Sequence, residues 1–216
     1  MLPLQLGPNL QRLRVLCLGA HSDDIELGCA GTLRHWLAGY QELELTWVVF
    51  SAAGARAAEA RRSARAWMRR AAQLDIVLGD FTDTQFPAEF TRAQAFMRSV
   101  ASRCTPDVVL THRLEDRHQD HRLVAELTGQ AFRNHLVMEY EIPKYEADLG
   151  QPNVYVPLTE ALAQQKLRHL LTHFGSQRSK HWFNERGLSS LMALRGLECR
   201  APAGQAEAFH LRKAVL

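Results

Sequence analysis

A polar segment that directly follows an apolar run constrains this sequence more than any other feature. The apolar run covers residues 15–20 and has the length and composition of a buried strand. The polar segment follows at once over residues 21–31 and begins His-Ser-Asp-Asp-Ile-Glu. In open α/β sheets, ligands bind beyond the carboxyl ends of the strands. The sequence therefore places one histidine and two neighbouring carboxylates where such sheets hold their functional sites.

The spacing of His21 and Asp24 suits a metal site. These residues are three positions apart, so their side chains meet if the chain turns into a helix there. Imidazole and carboxylate together suit a divalent metal such as zinc, and Asp23 is then free for proton transfer. The alternative is a structural role, in which Asp23 or Asp24 caps the helix of an ordinary strand-to-helix turn. This segment alone does not decide between the two interpretations.

A second polar cluster follows another predicted strand. Residues 107–112 are predicted to form a short buried strand, and His118, Asp120 and His121 come shortly after it. One of these histidines would complete a three-ligand zinc site with an open fourth position, which is the catalytic arrangement. The other would act as an acid, a base or an oxyanion stabiliser, oriented by a neighbouring carboxylate. Two such clusters favour a metal-dependent enzyme over chance surface polarity.

The two clusters also resemble the motifs of a known family. The first follows the pattern A-H-x-D-D-x-E-x-G-x-x-G-T over residues 20–32, and the second follows D-x-H-x-D-H over residues 116–121. This pairing resembles the PIG-L/LmbE-like N-acetylglucosaminyl deacetylases, which are zinc hydrolases on a Rossmann-like fold. Ser22 stands where that family usually has proline, a change that affects the rigidity of the turn and not the chemistry.

The resemblance implies a role for each residue of the clusters. It implies three zinc ligands, namely His21, Asp24 and His121. It makes Asp23 the general base that takes the proton from the attacking water. It makes His118, in its charged form, the residue that stabilises the oxyanion, and Asp120 the partner that orients His118.

An arginine-rich segment is the next candidate for substrate binding. Alanines and large apolar residues recur at helical spacing over residues 57–74, and the opposite face holds Arg61, Arg62, Arg65 and Arg69. A solvated basic face is the commoner meaning of such a pattern. The family resemblance instead suggests that one arginine of this helix contacts the substrate, and we choose Arg62.

Strand-like and helix-like segments alternate along the chain. Strands are predicted at residues 15–20, 43–50, 75–81, 107–112, 136–142 and 154–158, with helical patterns between and after them. This alternation predicts a single α/β domain over residues 1–216, Rossmann-like, with a mainly parallel sheet flanked by helices. The less periodic tail, residues 175–216, is expected to line the pocket or to form a homo-oligomer contact. His169 and His173 are expected on a helix surface, not as ligands.

Composition limits the classes of partner. The net charge of +3 is too small to argue for nucleic-acid binding. No apolar run approaches the length of a membrane span, and residues 1–9 show no signal peptide. The four cysteines lack C-x-x-C spacing, which favours reduced thiols and a cytoplasmic protein.

The sequence thus predicts a zinc-dependent hydrolase that removes an acetyl group from an N-acetylated amino sugar or sugar conjugate. Two alternatives stay open, a metal-dependent hydrolase of a different amide and a non-catalytic Rossmann-like binding module. The first strand-to-helix turn lacks G-x-G-x-x-G, which argues against a dinucleotide site. Substrate specificity is expected to depend on the loops at residues 82–89 and 144–154 and on the tail. The sequences of these segments do not identify the substrate.

Overall fold

One seven-stranded sheet forms the centre of the molecule. The computed structural model describes residue 6 and residues 11–215. The strands are β1 (Arg12–His21), β2 (Glu42–Ser51), β3 (Gln73–Leu78), β4 (Val108–His112), β5 (Leu136–Tyr140), β6 (Val154–Pro157) and β7 (Ala206–Leu211). They lie in the order β3-β2-β1-β4-β5-β7-β6, with β1 to β5 parallel and β7 antiparallel to both of its neighbours. The predicted α/β fold with a mainly parallel sheet is confirmed.

Helices pack on both faces of the sheet. The described residues form α1 (Asp24–Gly39), α2 (Gly54–Trp67), α3 (Phe90–Ala101), α4 (Gln119–Ala131), α5 (Glu160–His173) and α6 (Glu185–Cys199), with short 3-10 helices at Phe86–Glu89 and Gly175–Gln177. Alternate residues of β1 enter two apolar cores, Val15 and Cys17 in one and Leu16 and Leu18 in the other. Among the described residues, no helix combines the length and the apolar character that crossing a membrane requires. The signal-peptide prediction for residues 1–9 falls, apart from residue 6, outside the described range.

The tail is the main correction to the predicted elements. Instead of irregular chain, it contains α6 and the strand β7, which inserts between β5 and β6. The apolar period of α6 is obscured because Arg195 is buried on its inner face while Leu197 is exposed on its outer face. The order of strands in a sheet depends on pairing between distant residues, which local periodicity does not contain.

Two helix boundaries also differ from the prediction. The alanine-rich pattern was expected to continue to Leu74, but α2 ends at Trp67 and Leu74 lies in β3. The apolar spacing over residues 93–104 likewise predicts a helix that reaches Cys104, but α3 ends at Ala101 and Cys104 lies beyond it. In both cases apolar residues of the following segment happened to continue the helical spacing.

The glycines of the first motif let α1 approach the sheet closely. A Cβ atom at Gly28 would lie 2.2 Å from the Tyr140 ring, and one at Gly31 would lie 2.7 Å from a methyl of Leu158. The Tyr140 hydroxyl donates to the carbonyl of Leu18 at 2.6 Å, so this ring has little room to move away. The helix that begins at the polar segment is therefore placed by direct backbone contact.

A buried ion pair holds the same helix from the other side. The carboxylate of Glu207, in β7, accepts hydrogen bonds from the backbone N–H groups of Gly31 (2.8 Å) and Thr32 (2.6 Å). It also accepts from the Thr32 hydroxyl at 2.7 Å and from the Lys166 ammonium at 2.6 Å, and this ammonium donates to the carbonyl of Leu27 at 2.7 Å. Because these groups are nearly inaccessible to water, each charge depends on the other for compensation.

Replacing Gly28 with alanine tests this close packing. We expect Gly28→Ala to lower the free energy of unfolding by about 1–3 kcal/mol, because the added methyl overlaps the Tyr140 ring. Gly39→Ala, at the end of the same helix, is the control, since its Cβ would meet nothing within 4 Å. Chemical denaturation of both variants gives the comparison. Equal stabilities for the two variants would contradict the packing account.

Candidate metal centre

Two neighbouring parallel strands deliver the candidate site. His21 ends β1 and His112 ends β4, and these strands pair directly. Asp24 begins α1, and His121 lies in the first turn of α4. The side chains of the two sequence motifs therefore meet at one edge of the sheet, at the floor of a cavity of about 240 Å³.

Three atoms at this floor have the geometry of a metal site. His21 Nδ1 lies 3.1 Å from His121 Nε2 and 3.4 Å from Asp24 Oδ2, and the third distance, from His121 Nε2 to Asp24 Oδ2, is 3.6 Å. A tetrahedral zinc ion with bonds of about 2.0–2.1 Å places its ligand atoms roughly 3.3–3.4 Å apart. The residues present thus fit a zinc ion with little movement, and they are the three predicted ligands.

The outer nitrogen of each histidine faces a carboxylate. His21 Nε2 lies 3.1 Å from Asp120 Oδ2 and 3.0 Å from Asp83 Oδ1. His121 Nδ1 lies 3.0 Å from Asp116 Oδ2. Such partners fix the tautomer and the ring orientation of metal-binding histidines. With a metal bound, both rings would present an unprotonated nitrogen to the space between the ligand atoms.

The placement of Asp120 differs from the role that the family resemblance implies. Its carboxylate accepts from the backbone N–H groups of Thr84 (2.7 Å) and Phe86 (3.1 Å) and faces His21. Its contact with His118 is instead through the backbone, where the Asp120 N–H donates to His118 Nδ1 at 3.3 Å. Asp120 thus holds a ligand histidine with its side chain and His118 with its main chain.

His112 is a site residue that the sequence analysis did not single out. It is fully buried, its Nε2 lies 3.1 Å from Asp24 Oδ2, and the backbone N–H of Ala20 donates to the same nitrogen at 2.9 Å. Its ring stacks on His121 with centroids 4.0 Å apart. Its position could have identified it from the sequence, because His112 ends β4 just as His21 ends β1.

The environments of the two neighbouring aspartates differ. Burial, together with the charge of Asp24, raises the pKa of Asp23 to about 6. Burial also acts on Asp24, but the histidines His121, His112 and His21 outweigh it and hold the pKa of that carboxyl well below its usual range. The Asp24 carboxyl is thus ionised and available to a metal, whereas Asp23 has the affinity for a proton that a general base needs.

The arginine that reaches the cavity from α2 is Arg56. It lines the cavity wall and its Nη1 atom lies 2.6 Å from Asp83 Oδ2. Arg62 is exposed on the same helix and does not line the cavity. Asp83 comes from the loop before Phe86–Glu89, a segment expected to border the site. The structure therefore brings together the predicted metal ligands, Asp23 and His118, but not Arg62.

The two histidines of α5 do not line this cavity. His169 is half-buried, with its Nε2 atom 2.8 Å from Ser63 Oγ and its ring 4.6 Å from that of Trp67. His169 therefore lies only partly at the helix surface. Its ring packs against α2 because that helix covers one side of α5, which the sequence of α5 alone does not reveal.

Comparison with known proteins identifies related sequences and folds. The family model described as PIG-L, GlcNAc-PI de-N-acetylase, matches residues 16–132, more than half of the 216 residues. Among solved structures, the fold is similar to the N,N'-diacetylchitobiose deacetylase from Pyrococcus horikoshii (18% identity, 92% of this chain and 83% of that chain, TM-score 0.66). It is also similar to the teicoplanin deacetylase Orf2 in a zinc-inhibited form (13% identity, 92% and 97%, TM-score 0.70). A third similar structure is GalB, the 4-carboxy-2-hydroxymuconate hydratase from Pseudomonas putida (17% identity, 94% and 98%, TM-score 0.69).

Removing either histidine ligand tests the metal site. We expect His21→Ala and His121→Ala to lose stoichiometric zinc while keeping the helical circular-dichroism signal, because each removes one of three ligands. His35→Ala is the matched control, since His35 is exposed on α1 outside the cavity. Elemental analysis after dialysis measures the metal content. Zinc retained by both ligand variants at the parental level would refute the assignment.

Asp116 provides a second test that leaves the three ligands in place. Asp116→Asn replaces the carboxylate that faces His121 Nδ1. We expect zinc affinity to fall about 10–100-fold, which is the usual effect of losing such a partner. Competition with a chelator of known affinity measures the change, and Glu42→Gln, at an exposed position outside the cavity, is the control. An unchanged affinity would show that Asp116 does not orient His121.

Proposed function

Because this chain belongs to the GlcNAc-PI de-N-acetylase (PIG-L) family, we propose that it is a zinc-dependent hydrolase that removes the acetyl group from an N-acetylated amino sugar or sugar conjugate. The observation that supports this most directly is the convergence of three ligand atoms beside Asp23 at the floor of one cavity. Two of the similar structures are named as deacetylases, which agrees with this chemistry.

His21, Asp24 and His121 would hold the metal. A divalent ion bound there supplies Lewis-acid chemistry, since it polarises a carbonyl group and lowers the pKa of water. Asp24 contributes the negative charge, and the imidazoles of His21 and His121 contribute lone pairs. Without a metal, the burial of His21 is outweighed by Asp24 and the other carboxylates around it, which raise the pKa of this histidine well above its usual value, so metal binding would release a proton from its ring. Burial and the charge of His112 hold the pKa of His121 at about 4, so its ring is neutral at pH 7 and available as a ligand.

Asp23 would act as the general base. It is buried, lines the cavity and is adjacent in sequence to the ligand Asp24. A pKa near neutrality lets a carboxylate take a proton from water and return it later. Asp23 therefore holds the proton that the departing amine requires, and one residue serves both halves of the reaction.

His118 would stabilise the oxyanion as a neutral hydrogen-bond donor. Burial and the nearby charge of His21 lower the pKa of His118, which differs from the charged form expected from the sequence. Its Nδ1 accepts the Asp120 N–H, so the proton of the neutral ring sits on Nε2. His118 lines the cavity with its ring centroid 5.0 Å from that of His21. A fixed donor beside the reacting carbonyl is the requirement for oxyanion stabilisation.

The cavity wall offers partners for a polar substrate. Arg56 and Asp83 form an ion pair that presents both donors and acceptors to sugar hydroxyls. Gln177 also lines the cavity, and its Oε1 atom is buried without a hydrogen-bond donor. Buried polar atoms normally have partners, so a substrate hydroxyl or amide is a suitable one.

The four cysteines are free thiols, which supports the further proposal that the protein works in the cytoplasm on a small-molecule substrate.

Exchanging each aspartate for asparagine separates the base from the ligand. We expect Asp23→Asn to keep zinc but to lose about 10²–10⁴-fold in kcat, because an amide cannot accept the proton. Asp24→Asn should instead weaken zinc binding, and excess zinc should partly restore its activity. Amine release from a panel of N-acetyl sugars and conjugates, with zinc content measured in parallel, provides the assay. Near-parental turnover by Asp23→Asn, or its rescue by zinc, would overturn the mechanism.

The pH dependence gives an independent check on Asp23. A base acts in its ionised form, so kcat/KM should fall as pH falls through the pKa of Asp23. The positive charge of a bound metal favours the carboxylate, so we expect this midpoint at or below about 6. The parental pH profile with a neutral N-acetyl sugar measures it. A residual activity of Asp23→Asn that shows the same acidic midpoint would assign the titration to another group.

A further inference from the structure

The cations that line the cavity are not equivalent. Arg56 is paired with Asp83, and Lys144 lies 3.0 Å from Asp116 and 2.7 Å from Asp148. Lys180 also lines the cavity, yet within the part of the chain that the structure describes no carboxylate lies within 4.0 Å of its ammonium. Lys180 is therefore the cavity cation whose charge is left for a ligand.

The backbone around Lys180 fixes where this charge lies. The N–H of Lys180 donates to the carbonyl of Gln177 at 2.9 Å, and the N–H of Phe183 donates to the carbonyl of Lys180 at 3.0 Å. Phe183 is buried in the core, so this short turn is anchored at both ends. The Lys180 ammonium lies 5.6 Å from the ring centroid of Trp182, which also lines the cavity. The Trp182 ring and the Lys180 ammonium thus lie next to each other at the cavity wall.

Lys180 shares one cavity with the proposed reaction centre. Asp23, Lys180 and Trp182 all line this cavity of about 240 Å³. A group carried by a substrate whose acetyl group lies beside Asp23 can therefore come within reach of Lys180. Lys144 contributes less to such recognition because two carboxylates already compensate its charge.

We propose that Lys180, beside Trp182, forms a subsite for an anionic group, a phosphate or a carboxylate, carried by the N-acetylated sugar conjugate outside the acetyl-binding floor. This inference rests on the proposed deacetylase function and narrows its substrate class. The ammonium would form a charge-assisted hydrogen bond to the anion, and the Trp182 ring would pack against the adjoining sugar.

Glu146 restricts where the anion binds. It lines the same cavity, and its Oε2 atom is buried without a hydrogen-bond donor. The residue after it, Ala147, has a positive φ of 51°, which for a non-glycine residue is a strained turn that directs this short segment. A second negative charge beside Glu146 would be repelled, so the anionic group is directed to the Lys180 side and hydroxyl donors to the Glu146 side.

The test compares three substrates that differ at one position. These are the methyl glycoside of N-acetylglucosamine (neutral), its carboxymethyl glycoside (a carboxylate) and N-acetylglucosamine 1-phosphate. For the zinc-loaded parent, kcat/KM should be about tenfold or more higher for one or both anionic substrates than for the neutral one. Which anion is preferred distinguishes a phosphate site from a carboxylate site. Because Lys180 is exposed, the preference should shrink as ionic strength rises.

Variants assign the preference to Lys180. Lys180→Met should abolish it, with less than about a twofold change for the neutral glycoside, and Lys180→Arg should keep it. Arg186→Met, which removes an equal charge from an exposed position outside the cavity, should leave it unchanged. The proposal would be overturned if the parent showed no preference for the anionic substrates. It would also be overturned if Lys180→Met lowered kcat/KM equally for neutral and anionic substrates, because Lys180 would then act on the reaction centre and not on the anion.

A binding measurement keeps this inference separate from the proposed function. Calorimetry on zinc-loaded Asp23→Asn, with and without Lys180→Met, compares the same three compounds without turnover. We expect the anionic compounds to bind about tenfold more tightly, and the difference to vanish with Lys180→Met. If none of the compounds is deacetylated by the parent but this pattern of binding appears, the proposed deacetylation fails and the anion subsite stands. Equal binding of all three compounds overturns the subsite.

Discussion

The carboxylate of Asp24 is the group on which the rest of the site depends. It is buried among three imidazoles, with its Oδ2 atom 3.1 Å from His112, 3.4 Å from His21 and 3.6 Å from His121, and it accepts the His21 backbone N–H at 2.6 Å. An unpaired buried carboxylate is costly, so this charge requires donors or a cation around it. The three imidazoles surround this charge only if β1, β4 and α4 are all in place, and a cation bound between them would compensate it. These side chains therefore come together only when all three elements are folded and packed.

The contacts of α1 explain how this charge is held in position. Gly28 and Gly31 let the helix lie against Tyr140 and Leu158, and the Glu207 carboxylate binds its backbone from β7. These contacts begin four residues after Asp24, so a shift of the helix would move the carboxylate away from the three histidines that surround it. The last strand, β7, is far from the motifs in sequence. Its contact with α1 nevertheless fixes the position of the first motif relative to the histidines.

Much of the centre is predictable from local sequence, and the reason is geometrical. Parallel strands end at one edge of a sheet, so polar residues that follow β1 and β4 must approach each other once the two strands pair. The same reasoning does not reach Asp83 or Arg56, which come from a loop and a helix start whose approach to His21 depends on tertiary packing. It also misses β7, because an antiparallel strand inserted between β5 and β6 leaves no local signal of its neighbours. Arg62 does not line the cavity for a related reason. Helical spacing gives the face on which a residue lies but not which turn of the helix meets the site.

The division between chemistry and specificity follows from this construction. A hydratase and two deacetylases are all similar to this fold, so the fold alone does not determine the reaction. The floor of the cavity, with His21, Asp24 and His121, is built by strand ends and helix starts whose positions the sheet dictates. Most of the wall is built by residues 83, 144–146, 177, 180 and 182, which lie outside the strands and the α-helices, and the start of α2 adds Arg56. Asp83 and Lys144 contact His21 and Asp116, but changes at the other positions of the wall leave β1, β4 and the ligand atoms untouched. Lys180, whose charge is unpaired, is part of this wall. Replacing it can alter which conjugate binds without disturbing the three histidines around Asp24.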